Sequence, residues 1–250
     1  MRLRRWQVAI AVTLIVAATL VYATRWWLFP ARGLHNEMLR YLVDDVAFLF
    51  IQVLLVSMLL DGLMQRRHRE TMLNKLNMIV GAFFSECGAD ILGRVAKLDT
   101  DLGEVRGDLL ARMSWKSKDY ERAKRAFREH KPVIELSTGD LGELRERLDD
   151  EKAYLLSLLG NQALLEHEAF TDLLWAVTHL AEELQVRGDL EGLPPTDRAH
   201  LAGDVKRAYT LLGVQWIDYL QHLQVQYPFL FSLAVRTNPL DPDAPVIVTA

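Results

Sequence analysis

The stretch VAFLFIQVLLVSMLLDGLM, Val46–Met64, holds one charged group, Asp61, near its end. A helix of this length covers roughly 28 Å at about 1.5 Å per residue, close to the ~30 Å of hydrocarbon in a bilayer. Upstream lies a second apolar run, Trp6–Phe29, whose core Gln7–Ala23 is uncharged. Tyr22, Trp26 and Trp27 follow that core, where aromatic rings settle at a membrane–water boundary. The pattern predicts two transmembrane helices, about 6–29 and 46–64, joined by a short external loop at 30–45. Residues 1–64 thus form a transmembrane hairpin.

Orientation follows from the basic residues. Arg2, Arg4 and Arg5 precede the first run, and Arg66, Arg67, Arg69 and Lys75 follow the second. In the connecting loop Arg32 and Arg40 are offset by Glu37, Asp44 and Asp45. The positive-inside rule places both termini in the cytoplasm of a cell whose inner membrane holds the chain. Val21-Tyr22-Ala23 also fits a small-residue cleavage site after a basic segment. The apolar continuation Trp26-Trp27-Leu28-Phe29 favours an uncleaved anchor over a signal peptide. On the first helix Ala9, Thr13 and Ala17 recur every fourth residue, a smooth face for helix pairing.

Beyond residue 64 the chain changes character. Residues 1–64 carry six basic and four acidic groups, leaving 23 basic and 29 acidic groups for the remainder. An acidic domain is a poor general binder of phosphates, so no nucleic-acid partner is expected. The single cysteine, Cys87, has no intrachain partner and falls on an apolar stripe, where it reads as packing.

That stripe is Leu73, Leu76, Val80, Phe83, Cys87, Ile91, Val95 and Leu98, at spacings of three and four. No proline separates it from Met64, so the second membrane helix is expected to run on as a stalk. Helical patches follow at about 101–113 and 116–130. The latter is basic (Lys116, Lys118, Arg122, Lys124, Arg125, Arg128, Lys131) with an apolar edge of Trp115, Tyr120, Ala123 and Phe127. It reads as the charged face of a packed helix, with a headgroup-binding helix as the alternative.

After Pro132, the Ser137–Asp140 stretch has cap chemistry for a helix whose buried side is Leu141, Leu144, Leu148, Leu155 and Leu159. Gly160 and Asn161 mark a stop and a restart. A helix at about 162–186 carries Leu173, Val177, Leu180 and Leu184, with Glu166 on the same phase and Trp175 nearly opposite. Thr196 is the expected cap of the last long helix, with stripe Leu201, Val205, Ala208, Leu212, Trp216, Leu220, Leu223 and Tyr227. Pro228 ends or kinks it. Residues 65–237 are therefore expected to be a cytoplasmic bundle of about five or six helices, and 238–250 a stiff Pro-rich tail. The fold class is all-α.

The chain shows no glycine-rich phosphate loop, nucleophile elbow, zinc-ligand cysteine set or HExxH. No catalytic residue and no cofactor is assigned. Two pairs stand out. His179 with Glu183, and His200 with Asp204, are each spaced i, i+4. A hairpin turning near residue 191 brings them level, where two imidazoles and two carboxylates can hold a divalent metal or a hydrogen-bond network. Surface ion pairs have the same spacing, and no metal ligand is assigned on spacing alone.

Three stretches carry a resemblance: Leu76–Glu86 (LNMIVGAFFSE), Leu165–Glu168 (LEHE), and Tyr227–Leu233 (YPFLFSL) with Arg236–Pro239 (RTNP). They resemble an uncharacterised family of bacterial and archaeal proteins with two transmembrane helices and a C-terminal helical cytoplasmic domain. The resemblance implies architecture and no activity. The function expected is a membrane-anchored interaction, regulatory or scaffold protein with the lipid bilayer and a protein partner or second copy as its contacts. An oligomeric ion-conducting pore and a metal-dependent enzyme using the His/carboxylate pairs are the alternatives.

Overall fold

The computed structural model describes residues 5–28, 34–161, 164, 167–244, 246 and 247. Among these the architecture is all-α, with ten α-helices, one π-helical turn and no strand. Two compact units are present, Met1–Thr71 and Met72–Ala250.

The first unit contains α1, Arg5–Leu28, and the start of α2, Leu34–Phe83. Much of the expected loop 30–45 is therefore helical from Leu34 onward; residues 30–33 lie outside the described ones. Nothing between Leu34 and Phe83 breaks a helix: the segment has no proline, and Gly62 and Gly81 each cost only about 1 kcal/mol against alanine. The helix accordingly runs on through Met64, as the missing proline implied.

On α1 the covered positions are Ala11, Leu14, Ala17, Ala18 and Val21, while Val12, Ile15, Val16 and Leu20 are exposed. The covered stripe is thus centred on Ala18, and Thr13 from the expected small-residue face is exposed. Ala9 has no described side-chain environment. The segment Asp44–Met64 has a mean hydropathy of 2.3 and a most apolar window with no buried residue. A second segment, Lys75–Ala96, is also long and apolar, with a mean hydropathy of 1.2, but 44% of its window is buried in the bundle. It belongs to the core of the second unit.

That unit begins with the end of α2, a π-helical turn at Phe84–Gly88, and α3, Ala89–Ala96. The extra residue of the π turn rotates the stripe so that Phe83, Phe84 and Cys87 are all buried. Phe84 packs edge-on against Trp216 and stacks on Tyr219, with centroids 5.2 and 5.4 Å away. Gly88 leaves room for the Phe83 ring: a Cβ there would lie 2.4 Å from Phe83 Cε1.

The remaining helices are α4 (Leu102–Leu109), α5 (Ser117–Glu129), α6 (Thr138–Asp150), α7 (Lys152–Leu159), α8 (Glu168–Val186), α9 (Pro195–Gln226) and α10 (Pro228–Arg236). This exceeds the five or six expected, because short breaks divide what the periodicity joined. The patch at 101–113 stops at Leu109. The helix after Ser137 breaks at Glu151, and Pro228, which lacks an N–H, opens α10. Ser137 caps α6 as its chemistry implied: its Oγ accepts from Asp140 N at 3.2 Å, and Asp140 Oδ2 accepts from Ser137 N at 2.9 Å. Thr196, by contrast, lies inside α9. Pro194 takes the cap position and Pro195 the first turn, where its fixed φ is already helical. Helix α8 starts at Glu168; Leu165 and Glu166 lie outside the described residues.

Helices α8 and α9 form the centre. Phe170, Leu173, Leu174, Val177, Leu180 and Leu184 of α8 are buried, as are Leu201, Val205, Ala208, Leu212, Trp216, Leu220 and Leu223 of α9. Helix α5 buries Tyr120, Ala123 and Phe127 while Lys116, Lys118, Arg122, Arg125 and Arg128 stay exposed. Its apolar edge is therefore spent on the core. Lys124, from the same basic set, is buried, with Nζ 2.6 Å from both Asp218 Oδ1 and Glu121 Oε1.

The expected tail is in part core. Asn238 and Leu240 are buried, and Asn238 Oδ1 accepts from Trp216 Nε1 and from Leu240 N, both at 3.1 Å. Pro239 lies against Gly93 of α3. Pro239 lies in a turn closed by Asp241 N to Asn238 O, and Pro242 in one closed by Ala244 N to Asp241 O; Pro245 lies outside the described residues.

Candidate functional site

Between the ends of α8 and α9 the chain turns through residues 187–194, so the two helices run antiparallel. Charged groups then pair in descending register: 179 with 204, 183 with 200, 187 with 197. At the turn, Arg187 grips Asp197 through two contacts of 2.7 Å, Nε to Oδ2 and Nη2 to Oδ1. Its Nη1 also donates to Glu183 Oε2 at 2.6 Å. These bonds hold the carboxyls of Glu183 and Asp197 below the usual carboxylate range and push the Arg187 guanidinium higher still.

One turn further along, the four residues singled out by their spacing come together. His179 Nε2 lies 3.7 Å from Glu183 Oε1 and 3.8 Å from Asp204 Oδ2. His200 Nε2 lies 3.7 Å from Glu183 Oε2 and 3.4 Å from Asp204 Oδ2. One donor atom each from Glu183, His200 and Asp204 falls within 4.8 Å of the others. Asp204 is 4% exposed, and its Oδ2 has no hydrogen-bond partner. Its other oxygen lies 3.4 Å from Arg207 Nη1. His179 and His200 are about half exposed, so the cluster is open on its outer side.

The sequence pointed to the four residues but not to Arg187, Asp197 or Arg207. The first two lie in or beside the turn, where no periodicity marks them. The signal for Asp204 was available: it falls three residues after Leu201 and four before Ala208, on the buried phase of α9.

A second polar site is fully internal. Asp99 follows α3 and His130 follows α5. Backbone bonds from Thr100 N to Val133 O (3.1 Å) and from Glu135 N to Leu98 O (3.3 Å) tie the two segments together. They bring His130 Nε2 to 2.6 Å from Asp99 Oδ2, with both side chains buried. Burial first, and then the Asp99 charge, push the nearby Tyr209 hydroxyl well above the ordinary tyrosine range. With both side chains buried, the pair acts as an internal pin between the segments after α3 and α5.

An open cleft of about 470 Å³ lies among α3, α6 and the segment after α10, lined by Asp90, Arg94, Lys97, Glu143 and Asp241 among others. Arg147 Nε and Arg94 Nε donate to Asp90 Oδ2 at 2.7 and 2.9 Å, and Arg147 also pairs with Glu151. Burial raises the Asp90 pKa, but these two arginines outweigh it and the net shift is downward. The acid and arginines here are engaged with one another.

Residues 2–64 match a family model described as "MJ1433, N-terminal helical domain", and residues 72–236 one described as "Uncharacterized protein MJ1433, C-terminal helical domain". The chain belongs to the MJ1433 family. It is 40% identical over 238 residues to "Uncharacterized protein MJ1433" of Methanocaldococcus jannaschii, covering 95% of this chain and 94% of that one. No solved structure matches. The His/carboxylate cluster and the Asp99–His130 pin both lie in the segment matched by the MJ1433 C-terminal model.

Proposed function

We propose that this MJ1433-family chain is a membrane-anchored helical protein whose bundle serves as an interaction, regulatory or scaffold module. The observation that carries the reading is the surface of Asp44–Met64. Twelve large apolar side chains there are exposed, from Val46 and Phe48 through Leu63 and Met64. Burying such a side chain is worth about 1.5–3 kcal/mol, so a dozen left in water forgo roughly 20 kcal/mol or more. That exceeds the ~5–15 kcal/mol that holds a typical fold together. Lipid is the cover that fits. The surface is apolar on nearly all sides of the helix, and Arg66, Arg67, Arg69 and Lys75 follow it.

In this reading α1 and the first part of α2 pair as a hairpin in the inner membrane, with the covered stripe through Ala18 as the pairing face. Both termini are cytoplasmic. Trp175 on α8, and Phe229, Leu230 and Leu233 on α10, supply exposed apolar contacts for a protein partner or a second copy.

Alkaline carbonate extraction of cell membranes tests the anchor. The full chain should stay in the pellet, and release into the supernatant would end the reading. Mass measurement in mild detergent tests the interaction role. A strictly monomeric chain with no co-purifying protein would count against it.

A further inference from the structure

We propose that Glu183, His200 and Asp204, with His179 beside them, form a binding site for a divalent transition-metal ion, with Zn²⁺ as the ion that fits best. The site is independent of the membrane reading.

The first argument is the Asp204 carboxylate. It is almost wholly buried, and Oδ2 accepts no hydrogen bond. A buried anionic oxygen without donors is costly, and such groups are paired or bind metals. Here Oδ2 faces two imidazole nitrogens at 3.4 and 3.8 Å.

The second argument is those distances. Elsewhere in the same bundle a His–Asp pair that hydrogen-bonds closes to 2.6 Å. The four contacts of this cluster stand off at 3.4–3.8 Å, His179 facing Glu183 Oε1 and His200 facing Oε2, and Asp204 Oδ2 accepts no hydrogen bond from either imidazole. Tetrahedral coordination with bonds of about 2.0–2.1 Å separates neighbouring ligand atoms by about 3.3 Å. The stand-off therefore suits ligands around a central ion better than direct partners.

The third is the donor set and its support. One imidazole and two carboxylates, with the His179 imidazole beside them and no thiolate, suit Zn²⁺ and related divalent ions. Two carboxylates balance a dication. Each His–acid pair sits on a regular helix, and the helices are locked together by the Arg187–Asp197 fork beside them. Arg187 orients Glu183, and Arg207 approaches Asp204 Oδ1, leaving Oδ2 to the site. The half-exposed histidines give the ion a way in from solvent.

The test uses the full-length chain without a polyhistidine tag, purified in mild detergent and stripped with a chelator. Calorimetric titration with Zn²⁺ should saturate at one ion per chain. Co²⁺ in its place should give visible ligand-field bands. The H179Q/H200Q variant alters two half-exposed side chains, so its helical content should match the parent. Its Zn²⁺ affinity should fall by more than about tenfold, and the rise in Tm that Zn²⁺ gives the parent should vanish. No saturable binding, or binding equally tight in H179Q/H200Q, would overturn the proposal.

Discussion

Gly213 of α9 lies directly beneath the ring of Phe127 on α5: a Cβ at Gly213 would sit 2.2 Å from Phe127 Cζ. The ring also packs edge-on against Tyr209, 5.1 Å between centroids, and has no room to retreat. Gly203, on the same helix, has nothing within 4 Å of the corresponding point. The two glycines therefore separate helix propensity from packing. Gly203→Ala should stabilise the chain by about 0.5–1 kcal/mol. Gly213→Ala gains the same propensity but overpacks the core, and should destabilise it by about 1–3 kcal/mol. Urea unfolding followed by circular dichroism reads both. A stabilising Gly213→Ala would show that the two helices are not in this contact.

Periodicity exposed much of this arrangement and missed the rest for identifiable reasons. The stripes on α8 and α9 were plain because both helices are long and bury one continuous side. The bundle was undercounted because breaks such as Glu151 carry neither proline nor glycine, and a spacing rule reads through them. The four residues of the His/carboxylate cluster were visible as two i, i+4 pairs. Their convergence depends on the register of the α8–α9 hairpin, which the Arg187–Asp197 fork helps to fix and no local pattern encodes. The Asp99–His130 pin was invisible for the same reason: both residues sit just past helix ends, 31 positions apart.

That pin should carry measurable stability. Its two side chains are buried, and the bond between them is short. Removing one partner leaves the other buried without its counterpart, which costs roughly 3 kcal/mol. His130→Ala should lower the unfolding free energy by about that amount, whereas Glu135→Ala, exposed nearby, should change it by less than about 0.5 kcal/mol. Equal effects from the two variants would mean that the buried pair contributes nothing of its own.

The C-terminal segment divides at Leu240. Asn238 Oδ1 bridges Trp216 Nε1 and Leu240 N, and Leu240 is fully buried. Past Asp241 the described residues are exposed or half-buried. Truncation after Ala244 should leave Tm within a degree or two of the parent. Truncation after Thr237 removes the bridge and the Leu240 side chain together, and Leu240→Ala alone should cost about 2–5 kcal/mol. A Tm that falls equally for both truncations would place the anchor in the last six residues instead.

Stability should fall on the alkaline side, and Cys87 is a main reason. Burial first, and then the charge of Glu151, raise its thiol from 9.0 to about 12. Burial likewise raises Tyr120 from 10.0 to about 12. In the unfolded chain both groups ionise near their ordinary values, while the folded chain keeps their protons. Between about pH 9 and 12 the folded state thus binds more protons, and stability drops as pH rises, by up to about 1.4 kcal/mol per pH unit for each group. Denaturation midpoints at pH 8, 9.5 and 10.5 should decline in that order. Cys87→Ala should start lower, because it empties a core position, but decline less steeply. At pH 8 the thiol is protonated and enclosed, so iodoacetamide should leave the native chain unlabelled and label it once urea has unfolded it. Rapid labelling of the native chain at pH 8 would mean that the π turn at Phe84–Gly88 opens in solution and that Cys87 is not part of a closed core.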